Sequence, residues 1–76
     1  MTRENDRKKF VQLAEARVSK ALKDIRLIGN LSNRSNYEYT EQDAKKIYSA
    51  LKKAVDEMKQ RFDRNGAGEE EIFKLD

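Results

Sequence analysis

The 3–4 spacing of apolar residues between Ala44 and Phe62, in a chain without proline, most constrains the fold. The positions are Ala44, Ile47, Tyr48, Leu51, Ala54, Val55, Met58 and Phe62. In a helix of 3.6 residues per turn they share one side, whereas in a strand they would scatter over both faces. Proline removes an amide donor and clashes with the preceding turn, so its absence leaves long helices unbroken. Glycine occurs only at Gly29, Gly66 and Gly68. Thr40 opens this helix: its hydroxyl can accept the Asp43 amide proton, while Glu41 and Asp43 put negative charge at the positive helix end. Glu57 and Arg61 stand in the favourable i,i+4 order for an ion pair.

A second periodic segment precedes it. Phe10, Val11, Ala14, Val18, Ala21, Leu22, Ile25 and Ile28 form one broad stripe at about 100° per residue. Thr2 or Asn5 is expected to cap its start. Gly29 and Asn30 are expected to stop it, since both tolerate the left-handed conformation found past helix ends. Leu13 and Leu27 fall off the stripe, on the side of Lys20, at seven-residue intervals. They read either as scattered exposed leucines or as a second contact ridge. Ala14, Ala21, Ala44 and Ala54 would let two backbones approach closely. The segments RVSKALKDI and KIYSALKKA look alike, but over too few residues to establish a repeat.

Between the helices lies IGNLSNRSNYEYT, residues 28–40, with Asn30, Asn33 and Asn36, Ser32 and Ser35, and Tyr37 and Tyr39. Asn and Ser satisfy backbone groups in turns. Leu31, Tyr37 and Tyr39 would then pack over the open end, with Tyr39 as half of a hydrophobic staple. Tyrosines and asparagines on a rigid turn also make a recognition tip.

The expected fold is all-α: an antiparallel two-helix hairpin, with helices over residues 5–28 and 41–63, a structured loop over 29–40 and a short tail over 66–76. The tail carries the acidic run Glu69–Glu71 and the apolar Ile72, Phe73 and Leu75. It reads as a frayed end, or as a segment that docks on the hairpin or on a partner. With 76 residues, 37% of them hydrophobic and 41% charged, the hairpin has little core of its own. Such a core seldom supplies more than about 3–5 kcal/mol. Dimerisation into a four-helix bundle, or docking on a larger protein, would cover both stripes. A homodimer or another protein is therefore the expected partner.

Composition removes most catalytic chemistry. The chain has no Cys and no His, which excludes disulfides, Cys/His metal sites and Ser-His or Cys-His nucleophilic catalysis. There is no phosphate-cradling glycine loop and no EF-hand spacing. Paired carboxylates sit among lysines, as on a solvated face. Tyr37, Tyr39 and the lysines could do acid–base work only in a water-excluding pocket, which one hairpin hardly encloses. No enzyme activity, cofactor, metal or small-molecule substrate is expected. The polar start MTRENDRKKF lacks a signal-peptide core, no run is long and apolar enough to span a bilayer, and the absence of cysteine favours the cytoplasm. The two Asn-X-Ser triplets, at Asn30 and Asn33, are accordingly read as chance. A helix lying on a membrane surface would use the apolar arc that the second helix needs.

Nucleic acid is the alternative partner. Residues 1–30 carry eight basic and four acidic side chains, a local +4. Lys9, Lys20, Lys23 and Arg26 lie on the outward arc of the first helix, and Arg3, Arg7 and Lys8 add charge near its start. Phosphate contacts from Arg7, Lys9, Lys20, Lys23 and Arg34 would give salt-sensitive binding, and Asn33, Arg34 and Asn36 could reach base edges. Against this, the chain has no recognised binding motif and its tail is acidic.

The run KALKDIRLIGNLSNRSNYEYTEQDAKKIYSALKKAVDEMKQRF, above all IGNLSNRSNYEYT followed by an acidic helix start, resembles a group of small bacterial proteins associated with mobile elements. The resemblance covers roughly Phe10 to Phe62. It implies a bacterial origin and a plasmid, phage or integrated-element setting, where small proteins are often regulators or inhibitors of host defence. It brings no functional residues to carry over. The expected function is therefore a non-enzymatic protein-binding module. Its contacts would come from Leu13, Leu27, Asn30, Asn33, Arg34, Asn36, Tyr37 and Tyr39. The alternatives are a small nucleic-acid-binding protein and a structural subunit of a larger complex.

Overall fold

The computed structural model describes residues 3–66, and these are all-α: α1 is Arg3–Asn30 and α2 is Glu41–Gly66. No strand occurs among the described residues. The chain divides into two compact units, Met1–Glu38 with α1 and Tyr39–Asp76 with α2. The expected cap Thr2 and the tail from residue 67 onward, with Ile72, Phe73 and Leu75, lie outside the described residues.

α1 has 28 residues, about 42 Å at 1.5 Å per residue. Glu4 and Asp6 in its first turn complement the positive end of the helix dipole. Both ends differ from expectation. Asn5 lies inside the helix, which begins at Arg3, so it does not cap the start. Gly29 and Asn30 are also helical, and no described residue has a positive φ. The helix therefore ends without a left-handed residue. It tightens instead into i→i+3 bonds: the Leu31 and Ser32 amides donate to the Ile28 and Gly29 carbonyls at 3.0 Å each. Such bonds satisfy orphan carbonyls of the last turn without any special φ.

The loop is built around Asn33. Its side-chain Oδ1 accepts the Ser35 amide at 2.9 Å, and its carbonyl accepts the Asn36 and Tyr37 amides at 3.0 Å. The side-chain bond is the local competition with helix that makes asparagine a turn former. Residues 33–37 are thus a compact turn.

α2 has 26 residues, about 39 Å, and starts as the sequence dictates. The Asp43 amide donates to Thr40 Oγ1 at 3.0 Å, and the Thr40 amide donates to Asp43 Oδ2 at 2.9 Å. The reciprocal pair is a capping box with Asp in the third position. The Ala44 amide donates to the Thr40 carbonyl at 3.2 Å, the first bond of the helix. Arg64 in the last turn faces the negative dipole end. Ion pairs among the described residues include Lys20–Asp24, Lys52–Asp56 and Lys59–Asp63, at 3.0, 3.1 and 2.8 Å. The expected Glu57–Arg61 pair is not formed; lysine four residues before aspartate takes that part, in the weaker of the two orders.

No described residue of either helix is buried. Val11, Ala14 and Ile28 of α1 and Leu51 of α2 are half-buried, and the other stripe residues are exposed. The apolar residues of α2 lie on one side, while those of α1 are spread more widely round the helix, because Leu13 and Leu27 fall away from the stripe.

Candidate protein interface

Unbroken helix from Arg3 to Asn30 fixes what shares a face of α1. Leu13 and Leu27 lie about 120–160° round the helix from the centre of the stripe. Both are exposed, 41% and 52%, and they stand about 21 Å apart along the axis. Leu31, four residues after Leu27, continues the ridge, because the Leu31 amide bond to the Ile28 carbonyl carries the turn onward. Leu31 is 47% exposed. Its i+4 spacing from Leu27 was the available signal.

The same face holds Lys9, Lys20 and Lys23. Leu13 and Leu27, read from sequence as lying on the side of Lys20, share that face with Lys9 and Lys23 as well, so that three leucines are framed by lysines. Lys20, between the leucines, is held by Asp24 at 3.0 Å. Arg7 belongs elsewhere. It falls on the apolar stripe, with its guanidinium carbon 5.7 Å from the centroid of the Phe10 ring, a cation–π distance. Arg7 therefore does not extend the basic arc.

The loop residues have distinct roles. Asn33 is spent on folding the turn, through both its side chain and its carbonyl. The Asn30 carbonyl lies 3.5 Å from the Asn33 amide. The backbone amides of Asn36 and Tyr37 are taken up in the same turn. The Tyr37 ring is exposed, as contact with a partner requires. Arg34 is exposed and already engaged in an interaction of its own. Tyr39 is half-buried, directly precedes the Thr40 cap and belongs to the second unit. Leu27, Asn30, Asn33, Arg34, Asn36 and Tyr37 therefore gather near one end of the first unit, and Leu13 lies further back on α1.

On α2, Lys52 and Lys59 have pKa values raised above the ordinary lysine value of 10.5. The cause is the hydrogen bond to Asp56 or Asp63, reinforced by its negative charge; for Lys52 the Tyr48 phenol adds to it. A shallow depression lined by Ser49, Lys52, Lys53, Asp56, Glu57 and Gln60 runs along this polar side of α2. It is open to solvent, and ion-paired side chains of this kind describe a solvated face. Among the described residues no group of three carboxylates is placed to hold a metal ion, and no helix is long and apolar enough to cross a membrane. The chain matches no protein-family model, no curated protein and no solved structure.

Proposed function

We propose that this chain is a non-enzymatic helical module that binds another protein through the lysine-framed leucine ridge of α1 and the adjoining loop tip at Tyr37. The observation that carries the reading is the joining of Leu13 and Leu27 with Lys9, Lys20 and Lys23 on one exposed face of the uninterrupted α1, continued by Leu31 in the turn that follows it. Exposed leucines in a row gain free energy only by leaving water. Lysines around them favour a groove with an acidic rim. This is the helix-in-groove mode, with anchors repeating along one face. The resemblance to bacterial mobile-element proteins suggests the setting: a cytoplasmic regulator, or an inhibitor of a host defence protein.

Nucleic acid is the weaker reading. Lys9 and Lys23 are exposed, but Lys20 is neutralised by Asp24 and Arg7 stacks on Phe10. Phosphate contact along this face would also set three leucines against a polyanion.

The test is Leu13→Ser combined with Leu27→Ser. Both side chains are already exposed, so helix content stays within error of the parent. Anchor residues of this kind cost about 2 kcal/mol or more when truncated, so partner affinity falls more than tenfold. Unchanged affinity removes the ridge from the account.

A further inference from the structure

The chain has five asparagines, and Asn65 is the one followed by glycine. An asparagine loses its side-chain amide when the backbone nitrogen of the next residue attacks its Cγ. A side chain on that next residue hinders the attack, and glycine has none. The other four are followed by Asp6, Leu31, Arg34 and Tyr37. The fold restrains three of them further. The nitrogens that would attack Asn30 and Asn36 are engaged, since the Leu31 and Tyr37 amides donate to the Ile28 and Asn33 carbonyls at 3.0 Å each. The Asn33 side chain is held by the Ser35 amide at 2.9 Å. Asn65 is exposed and is the last residue but one of α2. Asn-Gly is a turn-forming pair, here drawn into a helix. The Lys59–Asp63 pair, at 2.8 Å, ties the turn before it. Beyond that turn the helix ends on the residue that gives up most backbone freedom in a helix. Helix ends open and close readily. While the end is closed, helical backbone at Asn65 keeps the Gly66 nitrogen out of line with Cγ. When it opens into a turn, the two can meet.

We propose that Asn65–Gly66 is a self-modifying site at the end of α2, where Asn65 converts to aspartate and isoaspartate without an enzyme. The Gly66 nitrogen forms a bond to Asn65 Cγ, the Cγ–Nδ2 bond breaks, and ammonia leaves with the proton of the Gly66 amide. Water then opens the cyclic imide. Opening at Cγ gives aspartate; opening at the backbone carbonyl carbon gives isoaspartate, in which the main chain runs through the side chain. Either product adds a carboxylate and takes the formal net charge from +3 down by one. That charge stands at the negative end of the helix dipole, where it weakens the last turn. Isoaspartate also puts an extra methylene into the backbone, which breaks helical register. The reaction thus starts from the open end and favours it, and it runs one way. The new carboxylate extends the acidic run Glu69–Glu71 towards α2. Isoaspartate is in addition a substrate for carboxyl methyltransferases that use a sulfonium methyl donor, so an aged chain gains a chemistry that a fresh chain lacks. The site uses neither the α1 ridge nor Tyr37, so it stands or falls separately from the proposed function.

The experiment is incubation of the full chain in buffer at neutral and at mildly alkaline pH. Conversion is read by peptide mapping with mass spectrometry, and isoaspartate by enzymatic methyl transfer to the intact chain. Conversion accumulates at Asn65 ahead of Asn5, Asn30, Asn33 and Asn36, and faster at the higher pH, because the deprotonated nitrogen attacks. Gly66→Ala slows it severalfold with α2 retained, and Asn65→Gln removes the methyl acceptance. Conversion at Asn30, Asn33 or Asn36 as fast as at Asn65, a Gly66→Ala rate equal to the parent's, or methyl acceptance that survives Asn65→Gln overturns the proposal. A second measurement compares the folded chain with the same chain unfolded in guanidinium. The folded chain converts severalfold more slowly, because only the open end reacts. A folded chain that stays intact while the unfolded one converts fully, or equal rates in both, also overturns it.

Discussion

Thr40→Ala tests how α2 is started. The parent has two reciprocal bonds at this end, Asp43 amide to Thr40 Oγ1 at 3.0 Å and Thr40 amide to Asp43 Oδ2 at 2.9 Å. Alanine deletes the first and leaves the Asp43 amide to water. It also loosens the second, because Asp43 is held by the same geometry. Replacing a capping threonine by alanine costs about 0.5–2 kcal/mol. Thr40 and Asp43 are both exposed, so water takes over part of the lost bonding, and the lower half of that range, about 0.5–1 kcal/mol, applies. For a domain of 60–100 residues, 1 kcal/mol is about 4–8 °C in midpoint, so the expected fall is about 2–8 °C. The assay is thermal melting followed by circular dichroism at 222 nm, with Thr40→Ser as control, since serine keeps the acceptor oxygen. Asp43→Ala completes a double-mutant cycle. The double variant should lose less than the sum of the single losses, because each half of the box depends on the other. A Thr40→Ala midpoint equal to the parent's, or strict additivity, refutes the reciprocal cap.

Gly29→Ala is expected to stabilise. Gly29 is helical without positive φ, and a Cβ there meets nothing within 4 Å, so alanine gains about 0.5–1 kcal/mol of helix propensity; a lower melting midpoint would show that Gly29 leaves the helix. High pH should weaken α2. The folded pKa values of Lys52 and Lys59 are raised, so their contribution is complete below 10.5 and disappears as pH rises through those raised values. Helix content measured above pH 10.5 should fall further in the parent than in a variant carrying Lys52→Met and Lys59→Met; equal loss in both would show that the pairs contribute nothing.

What was legible in the sequence was what local physics decides. The two helices follow from the 3–4 spacing and the absence of proline, and the start of α2 follows from Thr40 and Asp43, three residues apart. The end of α1 was less legible. Gly29 and Asn30 carry the usual composition of a left-handed stop, yet Asn33 organises the next turn so that the helix runs on to Asn30 and closes with i→i+3 bonds. Asn33 and Asn36 look equivalent in composition, and only the folded chain shows that Asn33 supplies the side-chain bond. The candidate site was half legible. Leu13 and Leu27 stood out by their seven-residue interval, but their joining with Lys9 and Lys23 needed an unbroken helix to fix the angles. Arg7 adds charge near the start of α1, and only the folded helix shows that its angle puts it over Phe10.

The most direct measurement of the central claim is affinity capture from lysate of the source cell, comparing the tagged parent chain with the Leu13→Ser, Leu27→Ser variant, each with and without nuclease, followed by mass spectrometry. The account predicts one protein that the parent recovers in both conditions and the variant does not. Recovery that vanishes with nuclease, or that the variant retains in full, would contradict it.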